Sequence, residues 1–258
     1  MKRIDINNYA PLITIITSTF NAEKDLEQCI KSVISQSYTN IEYIIIDGGS
    51  TDGTLEIVKK YEKFITTNLS EKDNGIYDAW NKGVKLANGD WIAFLGADDI
   101  YMHDAIEKYV QELSKLDYHS LDMISSKVRL VDDKGTELRI IGKEWVWNKF
   151  RRFMCTAHVG SFHSKSFFKK YGLYNIDYKI VGDYEILLRA KHLLKAAYFD
   201  EITVNMKVGG ISNLNNAAIK EAYKAKKRNN SVNNVLVLKY DFFKANVIFF
   251  LRKVLNRI

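Results

Sequence analysis

The sequence predicts an α/β fold: a mostly parallel sheet flanked by helices, with a C-terminal helical tail. Three observations support it. Short apolar, β-branched runs without polar alternation recur through the first hundred residues, as strands buried on both faces require. Segments with apolar residues at helical spacing lie between those runs. The chain has 258 residues, 47% of them hydrophobic, enough for a sizeable core rather than a disordered polymer.

The elements follow in order. Leu12–Thr17 (LITIIT), after Pro11, reads as a buried strand. Ala22–Ser35 reads as a helix with Leu26, Ile30, Val33 and Ile34 on one face. Ile41–Ile46 (IEYIII) is a second buried strand, and Thr51–Tyr61 a helix with Ser50 or Thr51 as its N-cap. Phe64–Asn68 is a weaker strand, Ile76–Leu86 a helix before the Asn88-Gly89 turn, and Trp91–Leu95 (WIAFL) another buried strand. After a helix over Asp104–Leu116 the regular alternation lapses. Met123–Val131, Phe153–His163 and Ala197–Val204 read as strands or extended segments, and Ser164–Tyr171 and Tyr184–Leu194 as helices. One folded unit is expected over residues 1–215, and a basic helical tail over 216–258.

Cys29 and Cys155 are far apart and in no metal-binding spacing, so both read as reduced core residues of a cytosolic protein. The N-terminal MKRIDINNYA has no apolar segment of the kind a secretory signal needs. The net charge of +7 is unevenly placed. Residues 219–258 hold ten Lys/Arg against Glu221 and Asp241, whereas the rest of the chain holds 28 basic and 29 acidic groups. That distribution argues against a nucleic-acid groove across the domain and for a local anionic partner of the tail. Within Val235–Ile258 the longest uncharged stretch, Ala245–Leu251, has seven residues, far fewer than the roughly 20 that span a bilayer. A helix lying on an anionic membrane fits, as does a helix packed on the domain or a dimer contact.

Open parallel sheets bind ligands beyond the carboxyl ends of their strands. Three strands here end in polar residues at that edge: Ser18-Thr19-Phe20-Asn21, Asp47-Gly48-Gly49-Ser50 and Asp98-Asp99. Asp98-Asp99 suits a divalent cation, since Mg2+ or Mn2+ takes one or two carboxylates plus substrate phosphates; a solvated turn with Asp99 capping the next helix fits as well. Asp47 suits a hydrogen bond to a base or ribose, or an ordinary strand-to-helix turn. Asp183, in Gly182-Asp183-Tyr184-Glu185, is either a helix N-cap or a general base for a sugar hydroxyl. His158 and His163 have no third partner for a zinc site, and Trp145 and Trp147 read as packing residues.

In this order, PLITIITSTFNAEKDLEQCIKSVISQSYTNIEYIIIDGGSTDGT (residues 11–54) and EKDNGIYDAWNKGVKLANGDWIAFLGADD (71–99) resemble the family 2 glycosyltransferases of GT-A fold. Looser similarity continues through HVGSFHSKSFFKKYGLYN (158–175), GDYEILLRA (182–190) and GGIS (209–212). The resemblance implies a nucleotide-sugar half at about 11–100 and an acceptor half at about 101–215. Ser18, Phe20 and Asp47 would hold the nucleoside of a UDP-sugar, with Asp73 and Lys82 lining the same cleft. Asp98 would be the direct ligand of Mn2+ or Mg2+, with Asp99 supporting it, and Asp183 would be the base of an inverting transfer. The family motif is often Asp-x-Asp, and its first position here is Gly96, which leaves the ligand set smaller. The 209–212 loop would close over the site. The acceptor implied is a saccharide carried on a polyprenyl diphosphate at the inner face of the cell membrane, in surface-polysaccharide synthesis. A non-catalytic scaffold of the same fold is an alternative. A nucleotidyltransferase is a weaker one, because STFNAEKD lacks the Gly-rich, basic triphosphate loop.

Overall fold

The structure, a computed structural model, describes residues 10–209 and 216–254. The first strands are β1 (Ile13–Thr19), β2 (Ile41–Asp47), β3 (Thr67–Ser70) and β4 (Trp91–Gly96), with helices α1 (Leu26–Ile34), α2 (Thr54–Lys60) and α3 (Ile76–Leu86) between them. All four strands pair in parallel, in the order β3-β2-β1-β4. Their side chains alternate between two cores. Ile13, Ile15, Tyr43 and Ile45 face one, with Leu26 and Ile30 of α1. Ile16, Ile44 and Ile46 face the other, with Tyr77 and Trp80 of α3. Burial on both faces is why these strands read as unbroken apolar runs.

The second half adds β5 (Ile100–Tyr101), α4 (Ala105–Ser114), β6 (Met123–Val131), β7 (Glu137–Ile141), α5 (Trp147–Phe150), β8 (Ser161–Ser164), α6 (Lys165–Tyr171), α7 (Gly182–Ala190) and β9 (Ala196–Lys207). β8 joins antiparallel to β4 and to β6, and β9 runs parallel to β6. The result is one mixed sheet, parallel on the side that carries the predicted nucleotide edge.

Several local expectations are corrected. The segment predicted as extended over Phe153–His163 is a strand only at its end. Before it, turns close at Gly160 N–H to Ala157 O and Ser161 N–H to His158 O. Its apolar content reflects a loop that feeds both cores, Ala157 and Val159 in the first and Met154 against the second, with His158 packed on Trp80 and Phe94. Cys155 therefore sits in a loop, half-buried, while Cys29 is buried in α1 with its thiol pushed up to about 12 by burial. α2 starts after Gly53, later than predicted, because Ser50 is drawn into the turn around Asp47. Asp99 does not cap α4; that position is Asp104.

Two helices follow, α8 (Ala217–Arg228) and α9 (Val235–Val254). α8 packs on α7 through Ala225, which belongs to the second core, and Lys226 donates to the carbonyl of Arg152. α9 is fixed by Leu238 and by Asp241, buried and paired with the Arg152 guanidinium. Among the described residues no helix is long and apolar enough to cross a membrane.

His163 on β8 is fully buried among Phe94, Phe167 and Phe168, and among the described residues neither ring nitrogen has a hydrogen-bond partner. Burial holds its imidazole neutral down to about 3. The unfolded chain takes up that proton below about pH 6.5, so stability is lost as pH falls from there toward 3. His163→Leu is expected to raise stability by about 1–3 kcal/mol, since it removes unsatisfied polar atoms. It also removes an acid slope of about 1.4 kcal/mol per pH unit. Urea unfolding at pH 5 and pH 7.5 checks this; an unchanged difference between the two pH values counts against it.

Candidate functional site

The carboxyl ends of β1 to β4 are level. Register places Thr19 beside Asp47, Asp47 beside Ser70, and Ser18 between Ile46 and Gly96. Ser18, Asp47 and the Asp98-Asp99 pair therefore share one sheet edge.

Asp47 is buried, and its carboxylate organises its own turn. Oδ2 accepts the N–H groups of Gly49 and Ser50, both at 3.0 Å, and the Ser70 hydroxyl at 2.6 Å; Oδ1 accepts the Ser50 hydroxyl. Gly49 carries φ +86°, which a residue with a side chain rarely adopts. What the structure displays for Asp47 is thus a loop-building role, with Oδ1 retaining capacity for one further donor.

Asp73 and Phe20 meet over that turn. A Cβ on Gly48 would lie 2.6 Å from Asp73 Oδ2 and 3.4 Å from Phe20 Cδ2, so glycine is what permits the approach. The Phe20 ring is 63% exposed, a flat apolar face at the mouth of the site, suited to stacking. Asp73 Oδ1 accepts the Gly75 N–H at 2.8 Å and so starts α3. Lys82 pairs with Glu71 at 2.8 Å and reaches the Lys72 carbonyl at 3.3 Å, bracing the loop that carries Asp73.

Beyond β4, Asp98 is exposed and Asp99 buried. Burial and the Asp98 charge push the Asp99 carboxyl up to about 7, against the Lys207 N–H that Oδ1 accepts at 3.1 Å. Desolvation by the surrounding protein, which crowds Asp98 although its tip reaches solvent, raises it as well. A place where two carboxylates resist ionising together is one that favours an added cation. A Cβ at Gly96 would sit 2.6 Å from Asp99 Oδ2 and 3.0 Å from Asp98 Oδ1. Both carboxylates fold back over the glycine at the first motif position, so a side chain there would have to displace their oxygens. Among the described residues no group of three or more His, Cys, Asp or Glu could hold a metal ion. The pair fits a cation that takes most of its ligands from a diphosphate. Lys207 Nζ lies 3.0 Å from Asp25 and 3.1 Å from Asp133, adding a positive charge nearby.

Asp183 is the second residue of α7 and is half-buried. Its Oδ1 accepts the Tyr184 N–H at 2.9 Å and lies 3.2 Å from the Tyr77 hydroxyl, which donates chiefly to the Ile180 carbonyl at 2.7 Å. Burial outweighs these bonds and pushes the carboxyl up to about 6. Among the described residues Oδ2 has no partner. Asp183 does not act as the cap of α7; Val181 holds that position.

Tyr77 connects Asp183 to the sheet edge. Its ring packs edge-on against Trp80 at 5.2 Å, and Trp80 Nε1 donates to Ser18 Oγ at 3.1 Å. His158 packs tilted against Trp80 at 4.6 Å, its Nε2 3.4 Å from the Tyr174 hydroxyl. Tyr77, Trp80, Asp25 and Lys207 were not singled out in the sequence. The i, i+3 spacing of Tyr77 and Trp80 signals one helix face and nothing more specific. Trp145 packs on Phe150 at 4.1 Å, as expected for a packing residue. In the GGIS loop, Gly210, Ile211 and Ser212 lie outside the described residues.

The glycosyl transferase family 2 model matches residues 14–171. A PGL/p-HBAD biosynthesis glycosyltransferase of Mycobacterium bovis is 31% identical over 216 residues, covering 79% of this chain and 80% of that one. Among solved structures, S. aureus TarS 1-349 in complex with UDP-GlcNAc superposes with a TM-score of 0.67 at 19% identity, covering 83% of this chain and 64% of that one. The mannosyltransferase PcManGT from Pyrobaculum calidifontis, in complex with GDP-Man and Mn2+, gives 0.64 at 15% identity, covering 87% and 66%. At those identities the two structures speak for the fold, which is the GT-A glycosyltransferase fold. The family match spans more than half of the chain, so this protein is a glycosyltransferase and belongs to glycosyl transferase family 2.

Proposed function

We propose that this enzyme transfers a hexose or N-acetylhexosamine from a UDP-sugar to a saccharide acceptor, with inversion at the anomeric carbon. The observation that carries the reading is Asp183: a carboxylate near 6 with one oxygen held and the other open, linked through Tyr77 and Trp80 to Ser18. Asp183 Oδ2 takes the proton of the acceptor hydroxyl while that oxygen bonds to the anomeric carbon. The bond from carbon to the diphosphate oxygen breaks, and UDP leaves with the electron pair. Attack opposite the leaving group inverts the centre. A base near 6 is ionised at neutral pH and still basic enough to help.

Phe20, Ser18 and the Asp47 turn would hold the nucleoside, with Asp73 and the Lys82-braced loop beside it. Asp98, supported by Asp99, would hold Mn2+ or Mg2+, which when bound stabilises charge on the departing diphosphate. The TarS and PcManGT complexes, with UDP-GlcNAc and with GDP-Man and Mn2+, support a nucleotide-sugar donor of this kind.

The acceptor we assign is lipid-linked, in surface-polysaccharide or glycolipid synthesis, with the enzyme peripheral at the cytoplasmic face of a membrane. α9 supports this. Leu236, Tyr240, Phe243, Val247, Phe250 and Val254 recur every three or four residues and are all exposed, forming one apolar stripe. Lys239 and Lys244 are exposed on the same helix, and its one acid, Asp241, is buried. A second α9 would meet this face with more lysine; an anionic lipid surface complements it.

Release of nucleoside diphosphate tests the reading. The full chain is offered UDP-sugars or GDP-Man, with and without Mn2+, and a polyprenyl-diphosphate saccharide in anionic or neutral vesicles. Acceptor-dependent UDP release, needing the cation and faster on anionic vesicles, is the expected result. No release from any donor removes the proposal, release from GDP-Man alone replaces the donor, and equal rates on both vesicles remove the membrane assignment.

A further inference from the structure

We infer that Glu221, on the tail helix α8, is a positioning residue for the catalytic base, so that the tail belongs to the catalytic apparatus. The inference rests on Asp183 being that base.

The Glu221 carboxylate sits in a cradle of three successive backbone N–H groups. Lys179 N–H lies 3.0 and 3.2 Å from its two oxygens, Ile180 N–H 2.9 Å from Oε2, and Val181 N–H 3.1 Å from Oε2. Successive N–H groups aimed at one carboxylate form a concave anion site, and charge-assisted bonds of this kind are the stronger ones. Val181 immediately precedes α7, and Asp183 is two residues further on. The clamp therefore acts on the backbone that delivers the base.

The same three residues are held from other sides. The Ile180 carbonyl accepts the Tyr77 hydroxyl, which also approaches Asp183 Oδ1. Lys179 Nζ donates to the Asn74 carbonyl at 2.6 Å, on the loop that carries Asp73. A Cβ on Gly182 would lie 2.8 Å from the Tyr77 ring, so the segment already lies against that ring and has no room to move inward. Glu221 closes the outer side. Segment 179–181 is thus pinned between α3, the donor-side loop and α8, and only the last of these contacts comes from beyond residue 215.

α8 is itself anchored to α7 by a second link. Asn229 Nδ2 donates to Glu185 Oε1 at 3.1 Å, and Glu185 is buried against Arg189. Asp183 and Glu185 lie in the first turn of one helix, so that turn and the segment leading into it are both tied to α8 and its C-cap. A tail serving only as an anchor would need neither bond.

Loss of the clamp frees three N–H groups at the start of α7 and lets the Asp183 carboxylate drift from the acceptor hydroxyl. Small misplacements of a reacting group are costly in rate. The donor edge, on β1 to β4, is untouched.

The test uses the full chain with Glu221→Ala and Glu221→Gln. Glu221→Ala is expected to lower kcat about 10- to 100-fold, with donor KM and UDP affinity within about twofold of the parent, and to displace the acid limb of the kcat–pH profile. Glu221→Gln keeps one acceptor oxygen and is expected to recover part of the rate; it is also the variant to read if Glu221→Ala does not fold. Parental kcat in Glu221→Ala, or in Glu221→Gln when that is the variant read, overturns the inference. So does a loss in which kcat falls only in step with thermal stability while the acid limb stays in place. Asp183→Asn, run beside them, separates the two claims. If it turns over normally, the base assignment has failed; if it is inactive while the Glu221 variants are normal, only the clamp has failed.

Discussion

Asp183→Asn is expected to lower kcat by about 100- to 10,000-fold, the range that general-base groups contribute, while UDP binding stays near the parental value. The amide keeps the shape of the carboxyl and can still accept the Tyr184 N–H and the Tyr77 hydroxyl. It cannot take a proton. In the parent enzyme kcat should rise with pH through about 6, where Asp183 ionises, and level off above it. The same substitution should stabilise the protein. A carboxyl raised above its unfolded value favours the folded state when protonated, and that advantage is lost as pH rises through about 6. At neutral pH the asparagine variant escapes this cost, by up to about 3 kcal/mol. An inactive protein with a higher Tm is therefore the combined result expected from calorimetry and turnover assays. Near-parental turnover would remove Asp183 from the mechanism.

Asp98→Ala carries the second large effect. The exposed carboxylate of Asp98 is available to a bound cation, while Asp99 is buried and partly committed to the Lys207 N–H. Losing Asp98 is expected to cut kcat/KM about 100-fold or more and to move the Mn2+ titration to higher concentration. Asp99→Asn preserves an acceptor for Lys207 and should cost about tenfold, in line with a supporting group. Asp183 and the Phe20 face are unaffected, so UDP binding measured without metal should change little in either variant. If Asp98→Ala and the parent give the same Mn2+ curve, the cation is held elsewhere or is not needed.

The sheet edge was legible in the sequence because each of its parts is local. The run Leu12–Thr17 is buried on both faces and must end where polar residues begin, so Ser18 and Phe20 fall at its mouth. The same holds for Asp47 at the end of β2 and Asp98 after β4. Register then brings these ends level, as parallel strands of similar length do. The stretch Phe153–His163 was misread for a related reason. Apolar content was taken as a strand signal, but the residues are apolar because a turning loop packs Ala157 and Val159 into one core and Met154 against the other.

Other features had no local signature. Gly96 stood where the family motif often has an aspartate, and the structure adds that the Asp98 and Asp99 carboxylates fold over its backbone. Asp47 suited either a nucleoside contact or a turn, and only the structure shows which groups its oxygens hold: the Gly49 and Ser50 N–H groups and the Ser70 hydroxyl. Glu221 looked like one of two acids in a basic tail, and it grips the start of α7.

By itself the sequence determined the alternation of buried strands and amphipathic helices, the polar edge, and the basic character of the tail. Each depends on residues close together in the chain, where periodicity alone reports which side is buried. Tertiary structure decided which distant groups meet: Asp183 with Tyr77, Asp99 with Lys207, Glu221 with the 179–181 backbone. Such contacts depend on how whole elements pack against one another, and no spacing within a single segment encodes them.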